Sequence, residues 1–212
     1  MNPKILHVIL FNLAYLLPAI FSSVLRANYE FILYIGVVII AVLLVMRFFV
    51  HYGLSIALLW FLSIWGFLHM AGGLVSVPLS WPTGGETKVL YNLWIIEKMF
   101  KFDQFVHAFG FGTTTWLVWQ ILQRTLSRKF DRALTDICPT GGLLFLCVIG
   151  SMGLGAVNEI VEFLAMVFVP ETNVGGYVNT ALDLVANLTG SLIAAFLIYF
   201  LQKRKDQVPL ED

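Results

Sequence analysis

The chain has 212 residues, 59% hydrophobic and 12% charged, with a formal net charge of +0 and a mean hydropathy of +0.85. A soluble domain carries roughly twice that charged fraction, so composition points to a membrane protein. With no net positive charge and no long basic run, nucleic acid is excluded as a partner. Cys138 and Cys147 have neither metal-motif spacing nor a setting for a disulfide, and read as small apolar side chains.

Taken in order, residues 5–25 are apolar and long enough to span a bilayer. Pro18 kinks this segment, and its length favours a retained helix over a cleaved signal peptide. Further spans are expected at 31–50, at 54–77 with Pro78 as its stop, at 103–122, at 141–169 and at 178–201. The longest connection contains a turn at Trp81-Pro82-Thr83-Gly84-Gly85. After it, residues 88–101 read as an interfacial helix, with Leu90, Leu93, Trp94 and Phe100 toward lipid and Lys88, Asn92, Lys98 and Lys101 toward water; Ile95 interrupts the pattern. The expected architecture is an all-α integral membrane protein, one domain of about six transmembrane helices.

The positive-inside rule sets its orientation. One side holds Lys4, Arg47, the cluster Arg124, Arg128, Lys129 and Arg132, and Lys203, Arg204 and Lys205. The other has Arg26 and a connection in which Glu86 and Glu97 balance Lys88, Lys98 and Lys101. Both termini are therefore expected in the cytoplasm, in the cytoplasmic (inner) membrane.

Within this frame the polar residues converge. Helical rise puts His107 roughly 6 Å below the outer end of its helix, Asp183 roughly 8 Å, Glu162 roughly 10 Å, His69 roughly 12 Å, Asn187 roughly 13 Å and Glu159 roughly 15 Å, with Asp103 at the rim. Asp103, His107, Gly110 and Thr114 form one helical stripe. Asn179, Asp183, Asn187 and Gly190 form a second; Gly155, Glu159 and Glu162 a third; Gly66, His69 and Gly73 a fourth. Each stripe contains glycine, which lets membrane helices approach closely, so the stripes face one another.

No Lys or Arg within the last four spans neutralises Glu159, Glu162 and Asp183. Three solutions are open: protonation, pairing with His69, His107, Lys98 or Lys101, or a divalent metal ion. Imidazoles with carboxylates suit a first-row divalent ion, with His69, His107, Glu159, Glu162 and Asp183 as ligands. No metal-binding motif of defined spacing accompanies them. Asn158, Asn187 and Asp103 are candidate binding residues. Taken singly each residue has a plainer reading: His69 bonded to a backbone carbonyl, Asp103 as a helix N-cap, Asn187 as interhelical glue. Those readings do not cover Glu159, Glu162 and Asp183 together.

The same residues carry a resemblance. His69-Met-Ala-Gly72-Gly73, Phe102-Asp103-Gln104-Phe105-Val106-His107, Asn158-Glu159-Ile-Val-Glu162-Phe163 and Asp183-Leu-Val-Ala-Asn187-Leu-Thr-Gly190 resemble the motifs of the YjdF-type family of small polytopic inner-membrane proteins. The last three are also similar to motifs of VanZ-like proteins, which are linked to glycopeptide resistance. The chain departs from the pattern at Gln104, where Arg is usual, at Ala108, where an aromatic is usual, and at Asn179, where an acid is common. The resemblance implies a bacterial or archaeal cytoplasmic-membrane protein and carries no mechanism.

The expected function is an outward-facing site acting on a lipid or envelope-linked substrate. Glu159, Glu162, Asp183 and His107 would be its catalytic groups, with a divalent metal or by acid–base chemistry. An ion, proton or small-solute transporter is the alternative, ranked lower because the inner halves of these helices offer Thr113, Thr114 and Thr115 but few ionisable groups. A non-catalytic scaffold, with a polar core that only sets registry, is the third.

Overall fold

The computed structural model describes residues 3–85 and 87–205. Glu86 and the side chains of 203–205, both used in the orientation argument, lie outside the described residues. Six long helices form the bundle: α1 (Pro3–Leu25), α2 (Tyr29–Tyr52), α3 (Ile56–Leu74), α4 (Phe102–Phe130), α5 (Gly141–Phe168) and α6 (Tyr177–Lys205). All but α4 are long and apolar enough to cross a membrane. α4 has the length but buries Gln104, His107, Thr113, Thr114, Thr115 and Gln120, and it packs against α6, α5, α3 and α2. Polar groups that hydrocarbon would penalise are thus sheathed by the apolar helices.

Local chemistry sets the helix ends. Asn28 Oδ1 accepts the Phe31 N–H at 3.0 Å and starts α2. Gly53, in the left-handed region at φ 72°, ends it. Ser55 and Thr140 cap α3 and α5 in the same way as Asn28. Arg124 Nε donates to Gly53 O at 3.1 Å and Arg128 Nη2 to His51 O at 2.7 Å, so the basic end of α4 covers open carbonyls at the end of α2. Arg124 lies 21 residues beyond Asp103, about 32 Å along the helix. Cys147 is buried as expected, whereas Cys138 is exposed ahead of α5 and is not a core residue.

Two expectations for the third span and the long connection are overturned. α3 stops at Leu74, four residues before Pro78, because the chain turns into extended pairing there: Ser76 bridges Val89, and Leu90 N–H donates to Val75 O at 3.0 Å. Residues 88–101 do not form an interfacial helix. They form a 3-10 turn at Leu90–Asn92 and a small hairpin of β1 (Trp94–Ile96) and β2 (Phe100–Lys101). The run Val89, Tyr91, Trp94, Ile95, Ile96 is β-branched and aromatic, which favours extended chain, and Lys98 takes φ 60° in the turn. Nor do Asn92 and Lys101 face water; both are buried.

The tightest seam is between α4 and α6. A Cβ on Gly190 would collide with the carbonyl oxygen of Ala108, and one on Gly112 would lie 3.0 Å from the carbonyl oxygen of Gly190. Just inward, Ser151 Oγ donates to Phe111 O at 2.8 Å and Ser191 Oγ to Ser151 Oγ at 3.1 Å, fastening α5 and α6 to α4. Gly190→Ala is therefore expected to cost about 1–3 kcal/mol by overpacking, read as a lower unfolding midpoint in detergent. Gly153→Ala, where nothing lies within 4 Å, should leave the midpoint unchanged or higher. Equal behaviour of the two variants would show that the seam does not hold the bundle.

Candidate functional site

The site begins where β2 runs into α4. The Lys101 N–H donates to Gln104 Oε1 at 2.6 Å, so Gln104 caps the helix start. Asp103 is not the N-cap; it occupies the second helical position, freeing its carboxylate to face inward. His107 follows one turn later, with Nε2 3.8 Å from Asp103 Oδ1. α5 supplies Glu159 and Glu162. α6 supplies Asp183 and Asn187, both 0% exposed.

His107 is the centre of the group. Its Nδ1 lies 3.0 Å from Asn187 Oδ1. An amide oxygen only accepts, so Nδ1 carries a proton, and in the neutral ring Nε2 presents a lone pair. That lone pair faces Asp103 Oδ1 at 3.8 Å and Glu162 Oε1 at 3.9 Å, while Glu159 Oε1 is 3.8 Å from Nδ1. These gaps are too long for direct hydrogen bonds. Ligands about 2.1 Å from one ion in a tetrahedral shell lie about 3.4 Å apart, so a small closure brings the groups to metal-binding distance. Two sets of three, Asp103–His107–Asp183 and His107–Glu159–Glu162, have ligand atoms within 4.8 Å of one another.

Asn179 explains how two of these carboxylates come together. Its Nδ2 donates to Asp183 Oδ2 at 2.5 Å and to Asp103 Oδ2 at 3.3 Å. Its Oδ1 accepts from Lys101 Nζ. An amide at this position bridges two acids with one end and a cation with the other, which an acidic residue could not do. Asn158 works similarly on α5, donating to Glu162 Oε1 at 2.9 Å.

His69 is not gathered into either three-residue set. Its Nδ1 lies 2.5 Å from the Tyr91 hydroxyl. Burial holds that hydroxyl protonated well above the usual tyrosine range, so the contact is a neutral hydrogen bond that ties His69 to the 3-10 turn. His69 therefore lines the wall of the cavity, beside the two three-residue sets.

The cavity above the group has a volume of about 470 Å³, and Glu30, Tyr34, His69, Asp103, His107 and Glu162 are among its lining. Glu159 and Asp183 do not line it; they lie beneath. Two connections roof it. The 3-10 turn before the hairpin contributes Asn92, which donates to Asn173 Oδ1 at 3.2 Å. Asn173 N–H in turn donates to Glu30 Oε2 at 2.9 Å. Glu30, Tyr34, Tyr91 and Asn173 were not singled out from sequence. Glu30 stands at the start of an apolar helix, where a carboxylate reads as an ordinary first-turn residue. Asn173 sits in a turn.

Several buried polar atoms of the site have no close hydrogen bond among the described residues: both Glu159 oxygens, Asn187 Nδ2, Asp183 Oδ1 with Gln104 Nε2 facing it, and the Tyr34 hydroxyl, which faces Glu30. Buried polar atoms are rarely left so, and here they converge on one place. The shared amide is testable: Asn179→Ala removes the donor common to Asp103 and Asp183 and should cost about 1–3 kcal/mol, measured as a fall in unfolding midpoint. An unchanged midpoint would mean that the bridge contributes nothing.

Comparison with known proteins gives a family but no activity. No curated protein and no solved structure matches the chain. A family model does match over residues 6–204, nearly the whole length and all of the site. The chain belongs to the family described as predicted membrane protein (DUF2238).

Proposed function

We propose that this protein holds a divalent cation between His107 and the surrounding carboxylates, and that it acts there on a lipid or envelope-linked substrate at the outer face of the cytoplasmic membrane. The observation that carries the reading is the His107 Nε2 lone pair aimed at Asp103 and Glu162, with both Glu159 oxygens and Asp183 Oδ1 buried without a hydrogen bond beside it. Lone pairs facing carboxylates repel unless something positive lies between them. Asp103, Glu159, Glu162 and Asp183 bring four negative charges when ionised, and the ion-pair contacts of this group are with His107 alone. Lys101 reaches it through Asn179. A divalent ion offsets half of that charge.

The donor set of one imidazole and several carboxylates fits zinc, manganese or iron better than magnesium or calcium, which favour all-oxygen shells. The hydrogen bond from His107 to Asn187 fixes the ring in the tautomer that a metal ligand needs. A cation there supplies Lewis acidity toward a phosphoryl or carbonyl oxygen, or an activated water. Glu162, at the floor of the cavity, is placed to take or return the proton, and Asn158 steers its carboxylate. Both termini in the cytoplasm, with the cavity opening outward, complete the reading. It also suits the finer resemblance to YjdF-type and VanZ-like envelope proteins.

Transport remains second for a specific reason. On the inner half of α4, the Thr113, Thr114 and Thr115 hydroxyls each donate to the carbonyl one turn earlier at 2.9 Å. Ser151 and Ser191 close on Phe111 O and on each other. These groups are satisfied where they stand and form no titratable path to the other face.

Two measurements test the reading. Purified wild type is expected to retain about one divalent ion per chain by elemental analysis, and Glu159→Gln/Glu162→Gln to lose it. An ion-free wild type, or full retention in the double variant, would contradict the assignment. After chelation, cation at about 100 times Kd should stabilise wild type by about 2.7 kcal/mol, seen as a raised unfolding midpoint. The same addition should do little for His107→Ala. Equal stabilisation of both would place the ion elsewhere.

A further inference from the structure

The polar cavity meets a second hollow of opposite character. This one, about 170 Å³, lies between α1, α2, α3 and α5. Val38, Ala41, Val42 and Val45 of α2 face Leu59 and Leu62 of α3 across it. The two hollows share Tyr34, His69 and Glu162, so an apolar groove runs into the polar site.

Three features of the groove select its occupant. First, the polar atoms in its wall satisfy one another. Asn12 Nδ2 donates to Val8 O at 2.8 Å and to Ser63 Oγ at 2.7 Å, and the Tyr15 hydroxyl donates to Asn12 Oδ1 at 2.7 Å. The wall therefore asks for no hydrogen bond from what fills it. Second, its lining on α2 extends from Tyr34 to Met46, which is about 18 Å of helix. One leaflet's share of the hydrocarbon core is about 15 Å, so the groove has the depth of a single lipid tail. Third, at its polar end the groove closes on the Tyr34 hydroxyl, which faces the Glu30 carboxylate, at the level where a tail would join a head group.

We propose that the groove takes one hydrocarbon chain of an amphiphile whose polar head occupies the cavity over Glu162, His107 and Asp103. The substrate is then a membrane lipid that enters from within the bilayer, with its tail along α2 and α3 and its head at the carboxylates. Lys101 also lines the cavity, so a phosphate ester there has a lysine beside it and a divalent ion beneath it, and the head is assigned as phosphate-bearing. This assignment rests on the cation reading above.

The test uses the full chain in phosphatidylcholine nanodiscs doped with phosphatidic acid that carries a photoactivatable diazirine on one tail. Labelled peptides are mapped by mass spectrometry, and metal content is measured on the same samples. Ala41→Trp fills the groove from an exposed position, and Leu43→Trp places the same bulk on an exposed position outside it. In wild type and Leu43→Trp, label is expected to concentrate on the α2 and α3 segments that line the groove. In Ala41→Trp it should fall about ten-fold, with metal content unchanged. A diacylglycerol probe with the same tail should label several-fold less.

Label spread evenly over exposed faces, label indifferent to Ala41→Trp, or cross-links to a second copy of the chain would each overturn the groove. Equal labelling by the diacylglycerol probe would overturn the phosphate head. The two readings fail separately: metal retained with unspecific label removes the lipid groove alone, whereas groove-specific label without metal removes the cation.

Discussion

Carboxylates inside a bilayer cost several kcal/mol each unless something neutralises them. This protein gathers four of them around one imidazole. That concentration of negative charge is the constraint to which the remaining structure answers. It requires a polar helix at the centre of the bundle, since α4 carries His107 and could not face lipid. It requires an unusually close crossing of α4 and α6, because only a glycine at position 190 lets Asp183 and Asn187 approach His107 from the neighbouring helix. It also requires amides rather than charges between the acids. Asn179, Asn158 and Asn187 each spend their hydrogen bonds on holding an acid or the imidazole in place.

The two connections at the polar end follow from the same constraint. A helix lying flat on the membrane would have left the cavity open. The 3-10 turn before the hairpin and the turn after α5 instead lock together through Asn92, Asn173 and Glu30, and the hairpin delivers Lys101 from above. The opposite end of α4 is occupied by arginines that cover the carbonyls at the end of α2. The bundle is thus polar and acidic at one end, basic at the other, and apolar around its girth. In the groove from Ala41 to Glu162, apolar and acidic surfaces meet.

Much of this was legible in the chain because hydrocarbon leaves few choices. Long apolar runs become helices, and an acid in such a run must face inward, so helical spacing alone brought Asp103, His107, Glu159, Glu162 and Asp183 to one level. What spacing could not resolve was the direction of individual hydrogen bonds. His69 sits at the right depth and on the right face, yet its hydrogen bond to Tyr91, from a short 3-10 turn that sequence spacing offered no reason to expect, was not legible. Glu30 was illegible for a similar reason, because its partner Asn173 is 143 residues away in a turn. The hairpin was misread because amphipathic spacing over 88–101 competed with β-branched and aromatic residues, and tertiary pairing with Val75 and Ser76 decided the outcome.

The central claim is that His107 contributes a ligand to a cation held by these carboxylates. Loading the chelated protein with Mn²⁺ and recording its pulsed electron paramagnetic resonance tests this most directly, since imidazole nitrogen bound to the ion modulates the echo. The account predicts nitrogen modulation in wild type that disappears in His107→Ala. A manganese signal surrounded only by water and carboxylate oxygen in wild type, or nitrogen modulation that survives the loss of His107, would contradict it.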